Sequence, residues 1–195
     1  MHDSARRSLW RVALALVLSL AFVWTSVWTS TGAWAGGVMR LESAQLVRQD
    51  GALLLNAQFR VELPKKAVEA LRRGVTLSFS QEFELFQKRD WWLDENLIAE
   101  QRHLQLSYRP GADKYRLLLG SEPQDFDTQE AALHALGAIS EWSVGRKAVP
   151  PGKDYEARLR LRLETNRLPQ TLQLTNLFGS GLDIDSGWQA WKPGL

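Results

Sequence analysis

From Leu53 to Leu63 every second side chain is apolar (Leu53, Leu55, Ala57, Phe59, Val61, Leu63), and Asn56, Gln58, Arg60 and Glu62 lie between them. A period of two puts each set on one face of a strand, which commits the stretch to a sheet with one buried and one wet side. The preceding segment, Arg40 to Arg48, reads as its hairpin partner. Asp50 and Gly51 between them supply the positive φ that a tight turn requires. The same alternation returns at Val75, Leu77, Phe79, Phe83 and Leu85 against Thr76, Ser78, Ser80, Glu82 and Glu84. Leu104, Leu106 and Tyr108 turn at Pro110 and Gly111 and are answered by Tyr115, Leu117 and Leu119. Tyr155, Ala157, Leu159, Leu161 and Leu163 face away from Glu156, Arg158, Arg160, Arg162 and Glu164, and Leu172 and Leu174 begin a last strand.

Burying one large apolar side chain contributes about 1.5–3 kcal/mol, so five one-sided strands drive the closure of an apolar layer. A parallel sheet covered on both faces would be apolar throughout, so the expected pairing is antiparallel. Two helices interrupt the strands. Pro64 to Arg73 opens with a proline suited to a first helical turn, ends at Gly74, and sets Ala67, Val68, Ala70 and Leu71 on one side. Thr128 to Ile139 carries Asp127 and Glu130 as a capping pair, with Ala132, Leu133, Leu136 and Ile139 as the buried stripe. The expected fold is mainly β (α+β): an antiparallel β-sandwich or strongly curved sheet with about two short helices.

The first 35 residues have a different composition. Arg6, Arg7 and Arg11 lead into an apolar run that ends at Ala33, Trp34 and Ala35, the order of an export signal with small residues at its cleavage site. The run is rich in Val, Ala, Leu and Phe only from Val12 to Trp24, about 13 residues, whereas a membrane span needs about 20. Cleavage before Gly36 is therefore expected, with an uncleaved anchor as the rival reading. Trp24, Trp28 and Trp34 would suit a membrane interface in the second case.

Removing that leader changes the charge. The chain has 24 Lys plus Arg and 22 Asp plus Glu; the leader holds three arginines and one aspartate, so residues 36–195 carry 21 of each. The sequence pI near 9.0 is thus carried largely by the leader, and the strongly basic footprint of a nucleic-acid binder is missing. Without cysteine an exported chain holds its fold by burial alone. About 160 residues suffice for that, since a domain near 150 residues buries about 68–70% of its unfolded surface. One domain, residues 36–195, is expected after the leader.

Catalytic constellations are thin. Cysteine chemistry is absent, and a serine triad would have to use His103 or His134, which the patterns place on a polar strand face and inside the second helix. No GxSxG elbow, HExxH helix, P-loop or GxGxxG occurs, so no cofactor or metal is expected and the chain reads as a non-enzyme. Asp90, Asp94 and Glu95 flank Trp91 and Trp92, the residue mix of a sugar site. Consecutive tryptophans in an extended segment point to opposite faces, however, so one of the two belongs to the core. Asp183 and Asp185 lack the further acids of a calcium loop and read as turn chemistry.

The sharpest surface feature is Arg158, Arg160 and Arg162 on one strand face. Same-face neighbours on a strand lie about 7 Å apart and repel unless anions lie over them. Glu156 and Glu164 bracket the row, and Glu62, Glu82 or Glu84 could face it, which makes a solvated salt-bridge ladder worth about 0.2–1 kcal/mol per exposed pair. The functional reading of the same row is a docking face for an acidic partner or lipid headgroups. With Trp91 and Trp92 it forms the candidate binding set.

Ala44 and Phe59 in the hairpin, the Trp91–Trp92 segment, the Tyr155 to Leu163 strand, Leu168–Pro169 and the closing Ser186, Gly187, Trp188 and Trp191 occur in a recognisable order. In this order the chain resembles the family catalogued as domain of unknown function 4390, exported proteins of Gram-negative bacteria. The resemblance implies no activity, cofactor or catalytic residue; it implies a genomic setting beside a nitrogen-type sensor kinase pair. The reading is a periplasmic, non-catalytic binding domain whose partner is an envelope or inner-membrane protein, with membrane contact through the leader if it stays uncleaved. A carbohydrate-active or lipid-handling envelope protein is the alternative.

Overall fold

Strands β1 (Val38–Gln49) and β2 (Ala52–Glu62) form the expected antiparallel hairpin in the computed structural model, which describes residues 37–89, 93–145, 149–164 and 184–195. Asp50 at φ 50° and Gly51 at φ 78° turn the chain with two consecutive left-handed residues, the conformation that matches the twist of the strands they join. β2 buries Leu53, Leu55, Ala57, Phe59 and Val61, the five apolar positions of its alternation. Its other edge pairs with β7 (Ala138–Ser143) to complete a three-stranded sheet ordered β1-β2-β7.

The second sheet has six strands, in the order β6 (Glu122–Phe126), β5 (Lys114–Leu119), β4 (Glu95–Arg109), β3 (Leu77–Gln87), β8 (Tyr155–Leu163) and β9 (Gln189–Trp191). β3 lies between β4 and β8, antiparallel to both. β5 and β6 extend the β4 side, and the short β9 closes the β8 side. All named pairs are antiparallel, as one-sided burial required. The inner faces of both sheets contribute to one apolar cluster. Phe59 and Leu55 from the first sheet, Phe79, Phe83 and Leu159 from the second and Leu136 from a helix have no exposed surface. The architecture is a sandwich-like α+β fold with two open sheets.

Helix α1 (Lys65–Arg72) starts one residue later than expected, because Pro64 stays extended at ψ 153° and serves as the N-cap residue. It buries Ala67, Ala70 and Leu71. Helix α2 (Gln129–Gly137) departs from expectation at both ends. Its cap is Thr128, whose Oγ1 accepts the Ala131 N–H at 3.1 Å, so Asp127 lies outside the helix. It ends at Gly137, where an added Cβ would lie 2.1 Å from the Phe59 carbonyl oxygen. That close approach to β2 stops the helix, and Ile139 is the second residue of β7 instead of the last of a helical stripe.

β6 and β7 were not expected from the sequence. β4 runs nine residues further toward its N-terminus than the 104–108 alternation suggested. The expected strand at Leu172 and Leu174 lies outside the described residues, as do the whole leader, Asp90, Trp91, Trp92 and Asp183. Among the described residues no helix is long and apolar enough to cross a membrane.

Candidate functional site

β3 has two faces that differ in chemistry, and both bear on function. Its outward residues Ser80, Glu82, Glu84 and Phe86 stand opposite Arg162, Arg160, Arg158 and Glu156 of β8. The arginine row thus falls on the face predicted for it, with the carboxylates of β3 directly beside it.

Every arginine in the row has an anionic neighbour. Arg158 Nε donates to Glu156 Oε1 at 2.6 Å, and its guanidinium lies 4.5 Å from the centre of the Phe86 ring. Arg160 donates from Nε to Asp185 Oδ1 at 2.9 Å, lies 3.9 Å from Glu82 and sits 5.8 Å from the Trp188 ring centre. Arg162 Nε reaches Glu82 Oε1 at 2.7 Å and Ser80 Oγ at 3.2 Å. Asp185 is therefore an arginine partner at the end of the sheet, in keeping with a role in turn chemistry: its Oδ1 also accepts the Gly187 N–H at 2.8 Å. Arg160 holds its carboxyl below the ordinary aspartate range. The arginine side chains keep 26–41% of their surface exposed, and Trp188 is 40% exposed beside them.

The charge network continues toward residue 94. Lys88 Nζ bridges Asp94 at 2.8 Å and Glu156 at 3.0 Å, and Arg89 pairs with Glu95. Lys88 holds the Asp94 carboxyl low; Lys88 and then Arg158 do the same for Glu156. Asp94 and Glu95, the described acids of the suggested sugar site, are thus engaged in ion pairs with their own loop. At the other end of the face, Ser80 is fully buried and Glu164 is 7% exposed, 3.2 Å from His103 Nδ1. His103 stands opposite Ser80, on the polar side that the alternation assigned to it.

The inner face of β3 carries a group that sequence reasoning passed over. Gln81 takes an apolar position between Phe79 and Phe83 and has no exposed surface. Its Nε2 donates to the Leu136 carbonyl of α2 at 3.0 Å, and its Oε1 accepts from Arg102 Nε at 2.6 Å. Arg102 stands on the β4 partner position of Gln81, with its guanidinium 4.6 Å from the centre of the Trp142 ring of β7. Among the described residues no carboxylate pairs with it. Burial pushes the Arg102 guanidinium down to about 10, so it remains charged at neutral pH in a costly place. The available signal was phase: Gln81 and Arg102 are polar residues on the apolar beat of neighbouring strands.

No group of three His, Cys, Asp or Glu side chains arranged to hold a metal ion occurs among the described residues. Two surface crevices, of about 480 and 520 Å³, lie along β1 and β2. The first is flanked by α2 and lined by Glu42, Arg60, Glu62, Glu130 and His134.

Two open antiparallel sheets, an apolar layer between them, and an outer face of interlocked arginines and acids define a β-rich α+β protein of the sandwich type. The chain belongs to the family described as domain of unknown function DUF4390, whose model matches residues 38–192. No curated protein and no solved structure matches the chain.

Proposed function

We propose that this chain is exported to the periplasm and works there as a non-catalytic binding domain that docks an envelope or inner-membrane protein, in the manner of an accessory to a signalling protein. The observation that carries the reading is the half-exposed row Arg158, Arg160 and Arg162, pinned by Glu156, Asp185 and Glu82 beside Trp188. Arginine and tryptophan are the residue types in which interface energy concentrates. Side chains already held by ion pairs lose less freedom when a partner covers them. The leader with Arg6, Arg7, Arg11 and the Ala33-Trp34-Ala35 end supports export. The carbohydrate or lipid alternative gains less support, since the described inner faces are filled by side chains and Asp94 is tied to Lys88.

A photo-crosslinking residue placed at position 188 in cells tests the docking face, with position 45 on β1 as control. The expected result is an adduct with one envelope protein from position 188, lost when Arg158→Glu and Arg162→Glu are combined. No adduct, or the same adduct from position 45, would overturn the reading. Export is tested separately by N-terminal sequencing of the protein from fractionated cells. A start at Gly36 in the periplasmic fraction is expected; a cytosolic chain starting at Met1 would sink the periplasmic assignment.

A further inference from the structure

We propose that Arg102 and the unpaired half of β4 form a second binding site, which takes an extended segment of a partner polypeptide and reads one carboxylate on it. Four observations converge there. First, β5 pairs with β4 only from Leu104 to Arg109, so from Glu95 to His103 the strand has β3 on one side and, among the described residues, no strand on the other. Asn96, Ala99, Glu100 and Gln101 are exposed along that edge. A strand edge with free N–H and C=O groups is a template for strand addition, in which main-chain bonds give affinity and side chains give selectivity.

Second, Arg102 sits on this edge without a carboxylate partner among the described residues. Partly buried guanidinium groups are normally paired, because water no longer solvates them fully. Glu100 is two residues away on the same face, about 7 Å along the strand, and forms no ion pair with it. Third, the arginine is locked. Its Nε is used by Gln81, which is itself anchored on the Leu136 carbonyl, and its flat face is covered by Trp142. Among the described residues its two terminal nitrogens have no partner, and they form the planar fork that matches a carboxylate.

Fourth, the charges around the edge select the occupant. Glu95 is neutralised by Arg89, so Arg102 and Glu100 are the charges left to be read. An incoming strand is favoured when it places Asp or Glu across from Arg102 and a neutral or basic residue two positions along, across from Glu100. This site is on a different strand and on the opposite sheet face from the Arg158 row, so it stands or falls independently of the docking face proposed above.

The test uses the chain as purified from expressing cells and three capped seven-residue Val/Thr peptides: one with a central Glu, one with Gln in its place, and the Glu peptide with alternate N-methylated amides. Amide NMR shifts report the site. The Glu peptide should shift the amides of residues 97–103, the Gln peptide should bind about tenfold more weakly, and the N-methylated peptide should fail. Arg102→Lys should weaken the Glu peptide about tenfold and leave the Gln peptide unchanged. Equal binding of the Glu and Gln peptides, or no shift at millimolar peptide, would overturn the proposal. So would acetate or phosphate alone producing the same shifts at the same concentration, since that marks a free-anion site. If Arg102→Lys does not fold, the three peptides on the unaltered chain decide the matter.

Discussion

The arginines of β8 and Arg102 of β4 lie on opposite faces of one sheet and are in opposite electrical states. Arg158, Arg160 and Arg162 share Glu156, Asp185 and Glu82 and keep part of their surface in water. Arg102 is pressed between the sheets against Trp142 with an amide as its polar anchor. The number of like charges is therefore a poor guide to where a positive site lies. Three adjacent arginines can be saturated by their own sheet, whereas one in an apolar register keeps its demand for an anion. If a partner docks, the row would meet it with shape and hydrogen bonds, and Arg102 with a charge that no carboxylate among the described residues pairs with.

The largest test of this contrast is Gln81→Leu. It leaves the Leu136 carbonyl and Arg102 Nε without partners in a buried place, and an orphaned buried polar group costs about 1–3 kcal/mol, more when charged. The expected loss is about 2–4 kcal/mol, read as a lower urea midpoint with an unchanged denaturant slope. A loss below 1 kcal/mol would mean that Arg102 is not held as described. Glu82→Gln comes next. This carboxylate, 16% exposed, serves both Arg160 and Arg162. Its neutralisation should cost about 1–3 kcal/mol by the same measurement, and a cost near zero would show the row to be loosely solvated.

The acid limb of stability sharpens the comparison further. Arg160 holds the folded-state pKa of Asp185 below its ordinary value of 3.8. The stability it supplies is therefore complete above that ordinary value and is lost as pH falls through the lower folded value. Asp185→Asn should lower stability by about 1–2 kcal/mol at pH 7, and the difference from the unaltered protein should shrink below pH 4. Thermal midpoints at pH 7 and pH 3 check this; an equal difference at both would sever the link to that ion pair. Among the described residues no carboxylate pairs with Arg102, so its replacement should leave the acid limb untouched.

Much of this arrangement was legible from alternation. β2 and β8 keep strict phase over their whole lengths, so their buried faces and the arginine row could be read directly, as could the Asp50-Gly51 turn. β6 could not, because Glu122, Pro123, Gln124 and Asp125 are all exposed and an edge strand wet on both faces has no periodic signature. β7 was hidden by its junction. Ala132, Leu133, Leu136 and Ile139 have helical spacing, and only the backbone contact of Gly137 with Phe59 ends the helix before Ile139. Glu141 at φ 49° then shifts the register, which brings Trp142 to the inner face opposite Leu55. The Arg102 cluster was missed because it joins four elements, β3, β4, α2 and β7, spread over the sequence from Gln81 to Trp142, although the polar interruption at Gln81 marked one of them.

The smallest expected effect comes from Arg158→Ala, and it isolates what the row is worth as structure. Its partner Glu156 also has Lys88 at 3.0 Å, so the carboxylate is not orphaned when Arg158 goes. Arg158 keeps 34% of its side chain exposed, and exposed pairs of this kind contribute about 0.2–1 kcal/mol. Part of that is packing, since its guanidinium covers Phe86, and this part is insensitive to salt. The loss should therefore be about 0.5 kcal/mol at low ionic strength and fall, without vanishing, as salt shortens the Debye length to about 3 Å at 1 M. A loss as large as that of Glu82→Gln would place the stabilising charge at the Glu156 end of the row. Stability unchanged at every salt concentration would leave Arg158 free for a partner, the state in which a docking face is best able to exchange its own ion pairs for new ones.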